Sequence, residues 1–237
     1  MNLKIETKNG FNDHAKDRSQ VEVGQDAKSR ARKADLLETP MREGAFDLSD
    51  AEKMLQIEDK FRDIMDILGL DLTDDSLKDT PKRVAKMFVQ EIFSGLNPEN
   101  KPAVSLFDNK YEYRQMLVER DIKLHSFCEH HFLPIYGKAH IGYFANGKVI
   151  GLSKLNRIVE YFSRRPQVQE RLTMQIAAEL KRVLKTNDVA VYIDAYHMCV
   201  QARGVQHESS STVTSDFSGK FLEENTRREF LQAIKGS

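Results

Sequence analysis

Both cysteines of this chain lie beside histidines, in two short stretches far apart in sequence. Cys128-Glu129-His130-His131 packs a thiol and two imidazoles into four residues, and Cys199 sits in His197-Met198-Cys199. A thiolate and an imidazole spaced C-x-x-H, joined by a distant second thiolate, can give one Zn²⁺ three soft or borderline ligands. Three protein ligands leave a fourth position for water, the feature that separates a catalytic zinc from a closed structural one. Cys128 and His131 are close enough to converge on an ion from a turn, with Cys199 as the third ligand. Spacing alone leaves open which of the adjacent histidines coordinates. On an extended segment they face opposite sides, so one can bind metal while the other faces a substrate. His130 and His197 are therefore candidate proton donors, with imidazoles suited to neutral pH. The competing reading is two buried cysteines that never meet. His125, His140 and His207 lack such neighbours and read as structural or surface residues.

Two further clusters could hold a substrate. Gly151-Leu152-Ser153-Lys154-Leu155-Asn156-Arg157 puts a hydroxyl and two cations near a helix start, where free N–H groups attract anions. With Arg203 it offers three cations for a polyphosphate; the alternative is an exposed basic helix face. In Gln167-Val168-Gln169-Glu170-Arg171 a carboxylate stands beside an amide. A carboxylate can accept the adjacent N1–H and N2–H₂ donors of guanine, although Glu170 and Arg171 also suit a solvated helix face.

The elements that must position these residues follow from periodicity. Residues 1–46 are polar and poor in large apolar side chains, a composition that predicts a disordered extension. Its basic cluster, Lys28 to Lys33, could bind an acidic partner; the alternative is a solvated tail whose charges nearly balance. Ser49 and Glu52 have capping-box spacing ahead of Met54, Ile57, Phe61, Ile64, Met65 and Leu68, a helix ended by Gly69. Thr80-Pro81, as cap and N1 proline, opens a second helix that stops at Ser94-Gly95. These helices make up an expected N-terminal helical region, residues 47–112. From about Tyr113 the pattern becomes strand-like, and Asn146-Gly147 carries the signal of a tight hairpin. Ser153 caps a helix with Leu155, Ile158, Val159 and Phe162 on its apolar stripe. Pro166 breaks that helix and starts a longer one through Val183. Val189 to Ile193 is a buried strand leading to His197, and a last helix runs from about Asn225 to Ile234. The order predicts an α+β domain over residues 113–237, an antiparallel sheet with helices on one face.

Bulk properties narrow the class. The 237 residues carry zero formal net charge with 30% charged residues, which gives no sign of a nucleic-acid or membrane-surface partner. No apolar run approaches the roughly 20 residues of a membrane span, and the N-terminus lacks a signal-peptide core. Two cysteines are too few for a disulfide scaffold, so a reducing cytoplasm is expected.

These motifs together resemble the GTP cyclohydrolase I family. The resemblance is carried by Cys128-Glu129-His130-His131, Gly151 to Arg157, Arg165-Pro166-Gln167-Val168-Gln169-Glu170-Arg171-Leu172, and His197-Met198-Cys199 with Arg203-Gly204. Thr80-Pro81-Lys82-Arg83-Val84-Ala85-Lys86-Met87 matches too, so the likeness runs from about Ser49 to the C-terminus. It implies zinc on Cys128, His131 and Cys199, with His130 as the acid/base residue and His197 as a second proton-handling residue. It implies Glu170, supported by Gln169, as guanine anchor and Ser153 at the ribose. Lys154, Arg157 and Arg203 would hold the triphosphate, with Arg83 joining from a neighbouring subunit. The implied fold is the tunnelling fold, in which antiparallel sheets of several subunits close into a barrel. The implied assembly is a homodecamer with active sites at subunit interfaces. The implied reaction hydrolyses GTP at C8 and rearranges it to 7,8-dihydroneopterin triphosphate plus formate, the entry to pterin and folate biosynthesis. The nearest rival is another tunnelling-fold enzyme acting on a pterin or deazapurine, against which the Cys128–Cys199 pairing speaks. A closed structural zinc in a nucleic-acid-binding module is the rival from another class; zero net charge argues against it.

Overall fold

Residues 37–235 are described by the computed structural model; the expected extension lies, for residues 1–36, outside the described residues. Helix α1 (Asp50–Ile67) starts at the cap the sequence places there. Ser49 Oγ accepts from the Glu52 backbone N–H at 3.3 Å, and Ser49 N–H donates to the Glu52 carboxylate at 2.8 Å. Such a cap contributes about 1 kcal/mol. Helix α2 (Thr80–Lys86) begins one residue earlier than proline placement predicts, with Asp79 in the cap position. It then widens into a π-turn over Met87–Ile92, closed by Phe93 N–H to Phe88 O at 3.1 Å. The i→i+5 spacing sets Phe88 and Phe93 side by side, ring centroids 5.4 Å apart, where a regular helix would fan them out.

Strand β1 (Leu106–Asp108) is followed by β2 (Met116–Cys128), β3 (Pro134–Phe144) and β4 (Lys148–Ile150). The Asn146-Gly147 turn does not form the hairpin its sequence suggests. Gly147 has φ +70°, but β4 pairs with β1 in a separate two-stranded sheet. Helix α3 (Leu152–Ser163) leads to β5 (Pro166–Gln167), and helix α4 runs Gln169–Leu184. Pro166 therefore opens a short strand rather than the longer helix, because Phe127 and Cys128 of β2 pair parallel with Pro166 and Gln167. The chain continues through β6 (Val189–His197), the short α5 (Met198–Gln201), β7 (Ser211–Phe217) and α6 (Glu224–Lys235).

The main sheet has the order β5-β2-β3-β6-β7. Helices α3 and α4 cover one face, where Leu124, Ile141, Ile193, Leu155, Leu172 and Ile176 are fully buried. Each such side chain contributes roughly 1.5–3 kcal/mol by leaving water. Phe221 and Phe230, from the C-terminal segment, cover part of the other face.

A β-bulge in β2 decides which side chains share a face. Glu119 pairs with Ile141 and Ile122 with Ala139, so Arg120 and Asp121 stand opposite one residue, His140. The extra residue switches the alternation. Leu117 packs into the core before it; Ile122, Leu124, Ser126 and Cys128 are buried after it. Cys128 is thereby turned toward the helix-covered face. The bulge's freed Asp121 N–H, at φ +58°, donates to His140 Nδ1 at 3.2 Å. Burial holds the His140 imidazole below its ordinary pKa, which keeps that nitrogen an acceptor.

Candidate metal centre and active site

Cys128 ends β2 and Cys199 lies two residues past the end of β6, in α5, so two strand ends deliver the two thiols. Between β2 and β3 the chain closes a tight loop: Phe132 N–H donates to Cys128 O and Cys128 N–H to Leu133 O, both at 2.8 Å. Phe132 takes φ +53° there, and its ring packs against Phe88 and Phe93 at centroid distances of 6.2 and 5.0 Å. The loop carries His131 back over Cys128. One ligand-type atom from each of Cys128, His131 and Cys199 lies within 4.8 Å of the others.

The donor set fits a metal ion. Burial and the neighbouring Cys128 thiol push the Cys199 thiol above its ordinary pKa, so two thiolates there call for a cation. Two thiolates and one imidazole make a borderline-soft trio with one of four tetrahedral positions left over. Both cysteines are free thiols.

The adjacent histidines do not face opposite sides, as an extended segment would have them. The turn brings both Nδ1 atoms toward Cys128 Sγ, at 3.6 Å for His130 and 3.9 Å for His131. Both residues are exposed. Arg203, also exposed, donates to His131 Nε2 at 2.7 Å, which puts one expected triphosphate cation at the rim of the triad.

His197 is held from behind. Its Nε2 lies 2.8 Å from Gln169 Oε1, and Gln169 is buried. The Gln169 amide nitrogen donates to Thr212 O at 2.8 Å and Thr214 Oγ1 at 3.1 Å. A carbonyl oxygen can only accept, so the amide's orientation is fixed, its oxygen accepts, and His197 Nε2 carries the hydrogen. That leaves His197 Nδ1 for chemistry. Burial lowers the His197 pKa, and the nearby Glu170 carboxylate opposes the shift. Glu170 itself is exposed, beside Gln169 at the start of α4.

The remaining candidates lie elsewhere. Asn156 donates to Glu119 at 3.3 Å, which sets the first half of α3 beside the bulge end of β2. Glu119 and Cys128 stand nine positions apart along the strand, roughly 25–30 Å at the usual rise. Ser153, Lys154 and Arg157 are therefore far from the triad of their own chain. Arg157 lines a groove with Ser94, Tyr161 and Arg164, and Arg83 is exposed and paired with Asp79 at 3.8 Å.

Sequence comparison bears on what this site is for. The sequence model described as GTP cyclohydrolase I matches residues 57–235. The chain belongs to the GTP cyclohydrolase I family. A GTP cyclohydrolase 1 of Flavobacterium johnsoniae is 60% identical over 196 residues, covering 83% of this chain and 88% of that one. One of Aeromonas salmonicida is 53% identical over 207 residues, covering 87% and 94%. One of Yersinia enterocolitica is 51% identical over 200 residues, covering 84% and 90%. In this GTP cyclohydrolase I family chain the triad, the histidines and Glu170 all fall within the matched residues.

Two groups at the site escaped sequence reasoning. Thr173 and Thr214 close the ring around Gln169: their hydroxyls lie 2.7 Å apart, and Thr173 donates to Gln169 O at 2.8 Å. The i,i+4 spacing of Gln169 and Thr173 is visible in sequence, but the arrival of β7 is not. The second group is Arg171, whose guanidinium meets the Glu129 carboxylate beside Cys128.

Proposed function

We infer that this chain hydrolyses GTP and rearranges it to 7,8-dihydroneopterin triphosphate and formate at a zinc centre held by Cys128, His131 and Cys199. The convergence of these three residues from two strand ends carries the reading, together with family membership. When bound, zinc supplies Lewis acidity that makes water a nucleophile near neutral pH.

The chain's own groups handle the rest. Glu170, exposed beside His197, accepts the N1–H and N2–H₂ donors of guanine and fixes the purine edge. His130, on the loop surface next to Cys128, gives a proton to N7 as water adds at C8, and the imidazole ring opens to a formamide. His197 presents Nδ1, with Nε2 committed to Gln169, and serves proton transfer in the second hydrolysis, which frees formate. The ribose then opens to a ketone and closes on the pyrimidine amine. Triphosphate is not cleaved, so its cations provide binding and positioning energy.

The distance from the triad to Ser153, Lys154 and Arg157 supports a site completed by a second copy. Two sheet edges support the same reading: among the described residues, β7 pairs on one side only, and β2 before Phe127 pairs only with β3. Edge-to-edge pairing of copies would close such sheets into a barrel of the tunnelling type, stacked as a decamer. Arg203 would then meet triphosphate oxygens with a neighbouring copy's Lys154 and Arg157, with Ser153 at the ribose and Arg83 joining from a neighbouring copy. We divide the chain into an extension (1–46), a helical assembly region (47–112) and a catalytic domain (113–237). No described helix is long and apolar enough to cross a membrane. The reduced thiols suit the cytoplasm.

Incubation of the purified protein with GTP tests the reaction. Formate and an oxidisable, fluorescent pterin in equal amounts are expected. Zinc-loaded protein that leaves GTP intact would point to a relative acting on another purine or pterin. Mixing a Cys199→Ser protein with an Arg157→Ala protein tests the shared site: reassembled mixtures regain activity only if each site draws on two copies.

A further inference from the structure

We propose that Arg171 and Glu129 act as a positioning pair that holds the Cys128–His131 loop in metal-binding geometry and sets the placement of His130. The inference rests on the metal reading above and deepens it.

Glu129 directly follows Cys128, so whatever fixes Glu129 fixes a ligand's neighbour. Its backbone N–H donates to Gln167 O at 3.0 Å, and its carboxylate accepts a hydrogen bond from Arg171 Nη2. Arg171 is pinned in two more directions. Nη2 also donates to Pro166 O at 3.1 Å, and Nε donates to Gln167 Oε1 at 3.1 Å. Gln167 is fully buried, and its amide nitrogen donates to Phe162 O and Gln175 Oε1, both at 2.8 Å. Because Phe162 O can only accept, the Gln167 amide cannot flip, and its oxygen must face Arg171. A buried chain from α4 thus ends on one carboxylate of the loop.

The chemistry of the pair suits a metal loop. Only a planar guanidinium can serve three acceptors in fixed directions; an ammonium gives the charge without the fork. The Arg171 side chain is 12% exposed and that of Glu129 29%, so their attraction is little screened. Beside two thiolates, an uncompensated carboxylate would be a third anion free to swing onto the ion. Arg171 neutralises it and holds one oxygen. The other, Oε1, faces His130 Nε2 at 3.9 Å, so the same carboxylate stands behind the proposed proton donor. Partners behind metal ligands commonly govern affinity or activity by about 10–100-fold.

The test compares zinc-loaded parent protein with Arg171→Met, Arg171→Lys and Glu129→Gln. Zinc release to excess metallochromic chelator is timed, and kcat and KM for GTP are measured alongside thermal unfolding and assembly size. Arg171→Met and Glu129→Gln should release zinc roughly 10–100-fold faster, with kcat reduced on the same scale and KM within about threefold. Arg171→Lys should fall between these and the parent, and the Met/Gln double variant should be no worse than the worse single one. A purely structural ion pair would lower the unfolding temperature and leave zinc release and kcat unchanged; that result overturns the proposal. Should Arg171→Met fail to fold, the near-isosteric Glu129→Gln carries the test. A parent that takes up no zinc overturns the metal reading and the brace with it. Variants that hold zinc as firmly as a zinc-bearing parent overturn the brace alone.

Discussion

Replacing Gln169 with Met separates two roles that sequence alone cannot distinguish, because methionine keeps the volume and removes both amide functions. In the sequence reading Gln169 supports the guanine anchor; in the structure its amide is fully engaged with His197, Thr212 and Thr214. Loss of the acceptor leaves His197 Nε2–H unpaired and frees the ring to change tautomer and rotate. A hydrogen bond to a group that takes on charge during reaction is worth about 1.5–3 kcal/mol. At 1.36 kcal/mol per factor of ten, kcat should fall roughly 10- to 150-fold. Thr212 O also loses its donor, and Thr212 lies exposed on the last strand, so water can replace that bond; the O of buried Ile193, 3.3 Å from the same amide nitrogen, loses a donor that water does not replace. The stability cost should therefore fall within about 1–3 kcal/mol. The assay is steady-state conversion of GTP followed by pterin fluorescence, with kcat and KM resolved. KM should stay within about threefold. A tenfold rise in KM with kcat preserved would refute the reasoning, since it would mean that Gln169 touches the purine and not the histidine.

Other perturbations probe the remaining elements. His130→Ser should keep zinc and lose activity, whereas Cys199→Ser should lose both; metal analysis that finds zinc gone from the first variant would show the adjacent histidines in reversed roles. Glu179 is buried at 6% side-chain exposure and bonds Lys101 at 2.9 Å and Arg182 at 2.7 and 2.9 Å. Burial raises its pKa, but these cations outweigh burial and hold the carboxyl below the ordinary value. Its stabilisation is therefore complete above the unfolded carboxyl's pKa and lost as pH falls through the lower folded value. Glu179→Gln should cost about 1–3 kcal/mol at neutral pH, less than a fully buried pair because both partners reach solvent, and should flatten the acid limb of unfolding. An unchanged acid limb would count against the pairing. His140→Phe strands the bulge N–H of Asp121 and should cost about 1–3 kcal/mol in chemical denaturation; no loss would mean that the bulge stands without it.

The parts of this site that depend on residue type were legible in the sequence, and those that depend on register were not. Cys128, His131 and Cys199 stand out because both cysteines of the chain have histidine neighbours, and Ser49 with Glu52 shows as a cap because the signal is local. The bulge at Arg120-Asp121 is different. Its extra residue is defined only against His140 on the partner strand, yet it turns Cys128 to the helix-covered face. The same holds for Asn146-Gly147, a strong local hairpin signal overruled when β1 arrived to pair with β4. Pro166 reads locally as a helix start because proline suits a first turn, but the edge of β2 takes it as a strand. The adjacent histidines diverge only on an extended segment; the turn at Phe132 brings both to one thiol. The distance from α3 to the triad needs the whole sheet, and with it the ground for proposing a site shared between copies.

The proposed reaction needs one catalytic zinc per chain on Cys128, His131 and Cys199. The most direct measurement strips the purified protein with a chelator under reducing conditions, then titrates zinc back while following formate release from GTP. Activity should vanish on stripping and return in a straight line that breaks at one zinc per chain. Full activity in the metal-free protein, or recovery that needs no zinc, would contradict it.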